Sequence, residues 1–346
     1  MRTVAVPENF PLTAERCEAI LERLSGLRIA VLGDFHLDVY WHADMRRAKL
    51  SRETPHFARP VVSERYDPGV GGVITANLYS LGVGAVYAVG ACGDDWRGEV
   101  LRARLSEQGT LLDCFLVVSG RITPTYIKPI IHGYESMQED PRLDFQDPND
   151  LPEDQEVRML SRLDSLLGQL NGLCVIDQIE DPTGGIVTAR VRRYLASLGE
   201  RLPRFPVLAD SRSRIHLFRS VIIKVNRMEA ARALGCGEAR SKEELLDQGA
   251  RLFERTGRPV FVSAGSDGMG CVGDRERYFV PAVPVEGPID PVGAGDSASA
   301  ALVGALASGA SLGEAAAFAN LTASVTVTKI GRTGVATPQE MLDRFL

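Results

Sequence analysis

The chain has 346 residues, enough to bury one large α/β core or two smaller ones. Its 39 basic and 45 acidic side chains leave a formal charge of −6, which argues against a nucleic-acid partner held by a general positive field and favours small substrates. Six cysteines form no C-x-x-C pair, no leader-like basic and apolar stretch opens the chain, and no segment reaches the ~20 apolar residues that span a bilayer; the sequence predicts buried free thiols and a cytoplasmic protein.

In chain order, apolar β-branched runs appear at RIAVLG (28–33), AVYAVG (85–90), LCVID (173–177), VIIKV (221–225) and PVFVSAG (259–265). Each reads as a buried strand. Between them stand helix signals, EVRMLSRLDSLLGQL (156–170) and SKEELLDQGARLFERTG (241–257), the latter with Ser241 and Glu244 at capping-box spacing. Strand and helix in alternation predict an α/β fold with a mostly parallel sheet covered on both faces. No linker divides the chain, so a single domain over 1–346 is expected. Two extended segments, about 39–67 and 121–146, break the alternation; they predict a small β lid over the strand ends where open α/β sheets bind ligands, against the plainer reading of two surface hairpins.

The stretch DPVGAGDSASAALVGAL (290–306) sets two glycines and a carboxylate before a run of small helix formers. Gly293 and Gly295 let the backbone approach a ligand, and the amides of a helix starting there form a socket for an anion, with Gly293, Ala294 and Gly295 as its wall. Asp296 at the mouth of that socket suits phosphoryl transfer, in which amides stabilise the migrating group while a carboxylate takes the proton of the attacking hydroxyl. In isolation the same string is equally a helix N-cap. Asp38, just past the first strand, is placed to accept hydrogen bonds from a polyol, its plain alternative being a loop cap.

These motifs resemble the ribokinase-like, PfkB-type family of carbohydrate kinases, whose C-terminal signature D-x-x-G-A-G-D ends in the catalytic base. The resemblance runs from about Arg28 to the C-terminus and implies the three-layer α/β/α sandwich of that family. It extends to Gly69, Gly71 and Gly72 in the glycine-rich segment before Gly82, and to GDDWRG (93–98). By resemblance, Asp38 binds sugar hydroxyls and Asn226 and Glu229, an N-x-x-E motif, place Mg²⁺, often through water. Ser263, Gly265 and Gly268 resemble the nucleotide-binding turn, and Asn320 matches a position near the adenine. ATP, Mg²⁺ and a monovalent cation near Asp290 are the implied cofactors, and a lid-mediated homodimer the expected assembly. Without that context Glu229 is an ordinary first-turn helix residue.

Within the family, GDFHLDVYWHAD, RLDF (142–145) and ANLTASVTVTKIGRTGVATPQEM resemble the heptose-phosphate kinases of ADP-heptose synthesis, which phosphorylate the anomeric hydroxyl of a heptose 7-phosphate. That group often carries a fused nucleotidyltransferase domain, which is not expected here. Two departures touch the substrate side. Ile74 stands where a sugar-binding Asn is usual, so Asn77 one helical turn later is assigned to substrate binding with Gly71 and Gly72, and the loop Asp177-Gln178-Ile179-Glu180-Asp181-Pro182 lacks the group's lysine. Lys128 and Arg142 on the lid are expected to meet a sugar phosphate instead, against the commoner role of a solvated charge. The five histidines show no metal-ligand spacing, and His36 reads as a loop residue near the substrate. The competing readings are another PfkB-type sugar or nucleoside kinase and a ligand sensor that kept the fold without turnover. A dehydrogenase is disfavoured because no G-x-G-x-x-G follows Gly33.

Overall fold

The computed structural model describes residues 6–7, 9–181, 183–331 and 333–346; of the substrate-side loop, Pro182 lies outside the described residues. α1 (Ala14–Leu24) starts the chain, capped by Thr13, whose hydroxyl accepts the Arg16 amide. There follow β1 (Arg28–Gly33), β2 (Leu37–Asp44), β3 (Val61–Pro68), α2 (Val70–Ser80), β4 (Ala85–Gly93), α3 (Trp96–Glu107), β5 (Thr110–Val118), β6 (Thr125–His132), β7 (Met137–Glu139) and β8 (Leu143–Phe145). The second half alternates more regularly, through α4 (Glu153–Leu167), β9 (Gly172–Asp177), α5 (Ala189–Arg201), β10 (Val207–Ser211), β11 (Ile222–Asn226), α6 (Arg227–Leu234) and α7 (Lys242–Thr256). β12 (Val260–Ser263), β13 (Gly268–Val272), β14 (Arg277–Pro281), α8 (Ala294–Ala307), α9 (Leu312–Thr326) and α10 (Pro338–Leu342) complete it.

Nine strands form one sheet in the order β14-β13-β12-β11-β10-β9-β1-β4-β5. From β12 to β5 every pairing is parallel, while β13 and β14 turn back as an antiparallel edge. The apolar runs bury both faces. Ile29 and Val31 of β1 pack into the core beneath α1, α2, α8 and α9, and their neighbours Ala30 and Leu32 pack into the core beneath α4, α5 and α7. The mostly parallel sheet covered on both faces expected from the alternation, and the three-layer α/β/α sandwich the resemblance implies, are the architecture found.

The two interrupting segments meet in a second, five-stranded sheet of order β3-β2-β6-β7, with β8 also paired to β6. β2 follows β1 after only three residues, so this sheet grows directly from the C-terminal edge of the main one. Asp38 therefore lies inside β2, opposite Asp67 of β3 and Tyr126 of β6, and not in a loop. The helix expected at 156–170 starts and stops three residues earlier, because Pro152 precedes its acidic first turn and Gly168 closes it. At α7 the Ser241 hydroxyl accepts the Glu244 amide, but Glu244 reaches the Arg240 amide, one residue short of a capping box. Among the described residues no helix is long and apolar enough to cross a membrane.

Candidate active site

The chemistry gathers at the C-terminal edge of the large sheet, where α8 begins. Gly293 turns there with φ +81°, a left-handed conformation in which an L side chain is strained. Asp290 ties the turn down: its carboxylate accepts the amides of Val292 at 3.1 Å and Gly331 at 2.9 Å, and its own amide donates to Val327 O. The Ala294 amide is spent on Pro291 O at 3.1 Å, which corrects its assignment to the anion socket. Among the described residues the amides of Gly295 and Asp296 have no acceptor, so these two form the free end of the helix.

Asp296 is not the helix cap. Gly293 holds the cap position without a side-chain bond, and Asp296 sits in the first turn, where its carboxylate accepts no hydrogen bond among the described residues. Burial pushes its pKa up to about 7, and the Asp210 carboxylate adds to the rise, while Lys224 and Arg212 pull the other way. A carboxylate tuned close to neutrality suits proton abstraction. Asp38 is near enough to add a smaller push in the same direction as Asp210.

On the lid side, Asp38 pairs with Lys128 of β6 at 3.0 Å, and Lys128 also donates to the Tyr40 hydroxyl at 3.2 Å. Burial opposes the charge of Lys128, but Asp38 and Tyr40 prevail and its pKa is raised. His36 stands 3.9 Å from Asp38, edge-on to Tyr126, with Gly69 packed on its ring so closely that a Cβ would collide with it. Burial drives the His36 pKa down to about 4 against the pull of Asp38, and Lys128, Arg212 and Arg142 lower it further, so the imidazole is neutral near pH 7. Arg142, expected as a free cation, is fixed by two hydrogen bonds to Asp144, at 2.5 and 2.6 Å, over the Tyr126 ring.

A cavity of about 380 Å³ runs along the other side of the turn, lined by Ser263, Gly265, Gly268, Val283, Asn320 and Ala323, and reaches Pro291, Ala294 and Gly295. Its size and apolar walls suit a small ligand such as a nucleoside. The four residues assigned to nucleotide binding, Ser263, Gly265, Gly268 and Asn320, therefore share one wall, which ends at the turn. The Asn320 amide donates to Val280 O and Pro281 O, so it also pins β14 against α9.

Asn226 and Glu229 form a capping box at the start of α6, each side chain accepting the other's amide at 2.8 Å. The second Glu229 oxygen and the spare lone pair of Asn226 Oδ1, on half-buried residues, suit outer ligands of a hydrated cation better than a closed metal cage, and among the described residues no group of three or more His, Cys, Asp or Glu could hold a metal ion.

Packing dictates the glycines of α2. Gly71 lies against the Phe35 ring, where a Cβ would come within 2.7 Å, and Gly72 against Pro68, so both are demanded by packing. Ile74 and Asn77 are fully buried, and the Asn77 amide donates to Val73 O and Gly334 O, which corrects its assignment to substrate binding. In GDDWRG, Asp95 caps α3 and accepts from Thr123, a structural role. The acidic loop after β9 is also neutralised: Asp177 is buried against the Arg214 guanidinium and the Ser211 hydroxyl, and Glu180 lies exposed toward Arg232.

Sequence reasoning missed Lys224, Asp210, Arg212 and Arg214. The first had a visible signal, a lysine inside the apolar run VIIKV.

Residues 208–339 match the model of the pfkB family carbohydrate kinases. The bifunctional protein HldE of Bradyrhizobium diazoefficiens is 27% identical over 328 residues, covering 93% of this chain and 64% of that protein. HldE of Hahella chejuensis is 28% identical over 320 residues, 90% of this chain and 62% of its own. The chain spans less than two thirds of the length of these curated relatives. Arabidopsis thaliana ribokinase complexed with ribose and ATP shares the fold at TM-score 0.69 and 18% identity, over 92% of this chain and 99% of that one. Escherichia coli phosphofructokinase-2 in complex with potassium gives the same score and identity over 92% and 98%. Family segment, long alignments and common fold agree: residues 208–339 carry the pfkB family carbohydrate kinase segment, within a chain similar to HldE over most of its length and sharing the ribokinase fold.

Proposed function

We propose that the chain transfers the γ-phosphoryl group of ATP to a sugar hydroxyl, and that the acceptor is the anomeric hydroxyl of a heptose 7-phosphate. The observation that carries this reading is the junction at Asp296: an unpartnered carboxylate with a pKa near 7 beside two free amides, at the end of a nucleoside-sized cavity and within electrostatic reach of Asp38. ATP would lie in the cavity with its phosphates toward Gly295. The acceptor would lie under the lid, held by Asp38 with His36 and Lys128 beside it. Asp296 accepts the hydroxyl proton as the sugar oxygen bonds to the γ-phosphorus; the bond to the β–γ bridging oxygen breaks, and ADP leaves.

Mg²⁺ would be held by the nucleotide phosphates and, through water, by Asn226 and Glu229, and would neutralise phosphate charge. A monovalent cation beside Asp290 would use the lone pairs that carboxylate does not spend on Val292 and Gly331. The apolar residues exposed on the lid, among them Val61, Val62, Met137 and Leu143, support pairing of two copies through that sheet, in the cytoplasm.

The test is a coupled assay of ADP release with heptose 7-phosphate, unphosphorylated hexoses and pentoses, and nucleosides as acceptors, with phosphorus NMR of the product. Acceptor-dependent turnover with a new anomeric phosphate supports the reading. Turnover with another acceptor replaces the sugar, and ligand binding with no turnover at all favours the sensor, to which the sealed Ile74 and Asn77 also point.

A further inference from the structure

Beneath the turn lies a group that the reaction outlined above does not use. Alternation along the strands directs Leu208 and Asp210 of β10, and Ile222 and Lys224 of β11, to the face covered by α8; Leu208 and Ile222 join the core there, but the residues that follow them are charged. Asp210 and Lys224 are register partners, and the Lys224 ammonium lies 2.8 Å from Asp210 Oδ2 with only 7% of its side chain exposed. Ser299 of α8 donates to the same Asp210 oxygen at 2.8 Å and to Gly295 O at 3.1 Å, which ties the pair to the first turn of the helix. A Cβ placed on Gly295 would stand 3.1 Å from Lys224 Nζ, so the ammonium presses directly on the turn.

Stability does not account for this arrangement. A buried ion pair gains little over well-packed apolar side chains, and a cation under a helix N-terminus is repelled by the partial positive charge of the free amides. The cost is relieved when an anion arrives. Asp210 is the one partner of Lys224 among the described residues, so an ammonium with three N–H groups keeps donors beyond that bond. Both Asp296 and Glu229 feel its charge.

We propose that Lys224 is a positioning residue for phosphoryl transfer: a fixed cation, oriented by Asp210 and Ser299, that sits under the Gly295 turn and favours the terminal phosphoryl group there over bound diphosphate. This rests on the kinase reading for its effect on turnover, but its effect on nucleotide binding is independent of the sugar. A unit charge within several ångströms of the anion predicts a loss of roughly 10- to 100-fold in kcat when it is removed.

The experiment compares wild type with Lys224→Met, Lys224→Gln and Lys224→Arg. Calorimetry measures binding of ADP and of a nonhydrolysable ATP analogue, kinetics measures kcat and KM, and thermal unfolding checks the fold. Lys224→Gln retains a hydrogen bond to Asp210 and serves if Lys224→Met does not fold. The expected result is ADP affinity within about threefold of wild type, analogue affinity reduced roughly 5- to 30-fold, kcat reduced as above with the sugar KM little changed, and partial recovery in Lys224→Arg. Equal loss of both nucleotides, or kcat within about threefold of wild type in a folded uncharged variant, overturns the proposal. If wild type phosphorylates no sugar, the sugar reading fails, and the split between analogue and ADP still decides the role of Lys224.

Discussion

Lys128 on β6 and Asp38 on β2 join two adjacent parallel lid strands across 3.0 Å, and the Tyr40 hydroxyl holds the same ammonium at 3.2 Å. The pair orients the Asp38 carboxylate, and the lysine has the charge to meet an anionic acceptor. Lys128→Met is expected to raise the KM for a sugar phosphate by roughly 10- to 100-fold while leaving the KM for ATP within about twofold. Steady-state kinetics with each substrate varied in turn checks this; equal changes in both constants would assign Lys128 to the fold alone.

Asp296→Asn is expected to lower kcat by about 10³-fold or more and to leave ADP affinity near wild type, because the amide keeps the shape and loses the base. In the wild type the working form is the carboxylate. With a pKa of about 7, kcat/KM should therefore rise with pH through that value and level off above it. A flat profile between pH 5.5 and 8.5 would remove Asp296 from the proton transfer.

The same shift has a consequence for stability. The Asp296 pKa is raised on folding, so the folded state binds more protons than the unfolded one between about pH 4 and 7. The contribution is present below the unfolded value and is lost as pH rises through the folded one. Asp296→Asn should accordingly unfold at a temperature a few degrees above wild type at pH 8, with the difference vanishing near pH 4. Calorimetric scans at both pH values check it.

Arg214→Met removes the cation from a fully buried carboxylate, Asp177, which among the described residues then keeps only Ser211 as a side-chain partner. The expected cost is about 3–5 kcal/mol, read as a lower urea midpoint. Asp177→Asn combined with Arg214→Met should recover part of it, because no buried charge is then left unpaired.

Ala323→Phe places a ring in the cavity that ends at Gly295. ATP affinity should fall at least about tenfold with the thermal midpoint nearly unchanged, because the added atoms occupy a space the fold leaves open. Unaltered ATP binding would move the nucleotide elsewhere.

The fold was largely legible because burial on both faces of a parallel sheet leaves near-continuous apolar runs: β1, β9 and β11 were visible to within one or two residues. The antiparallel edge was not. β13, GMGCV, carries two glycines, of which Gly270 makes room for Leu245 of α7, and β14 alternates only weakly, so neither pattern announces a strand. In the candidate site, Asp296 and its glycines were legible since a turn of such tightness requires a local string of residues. Asn77 was misassigned because spacing along a helix does not say which face is sealed.

What the sequence determined by itself was the α/β alternation, the glycine turn before α8 and the acidic residue beside it, all features written in contiguous residues. Tertiary structure alone decided that Asp38 pairs with Lys128, that Arg214 silences Asp177, and that Lys224 and Asp210 meet under Gly295. Those relations depend on strand order and register, which pair residues far apart in the chain, and no local pattern of side chains encodes them.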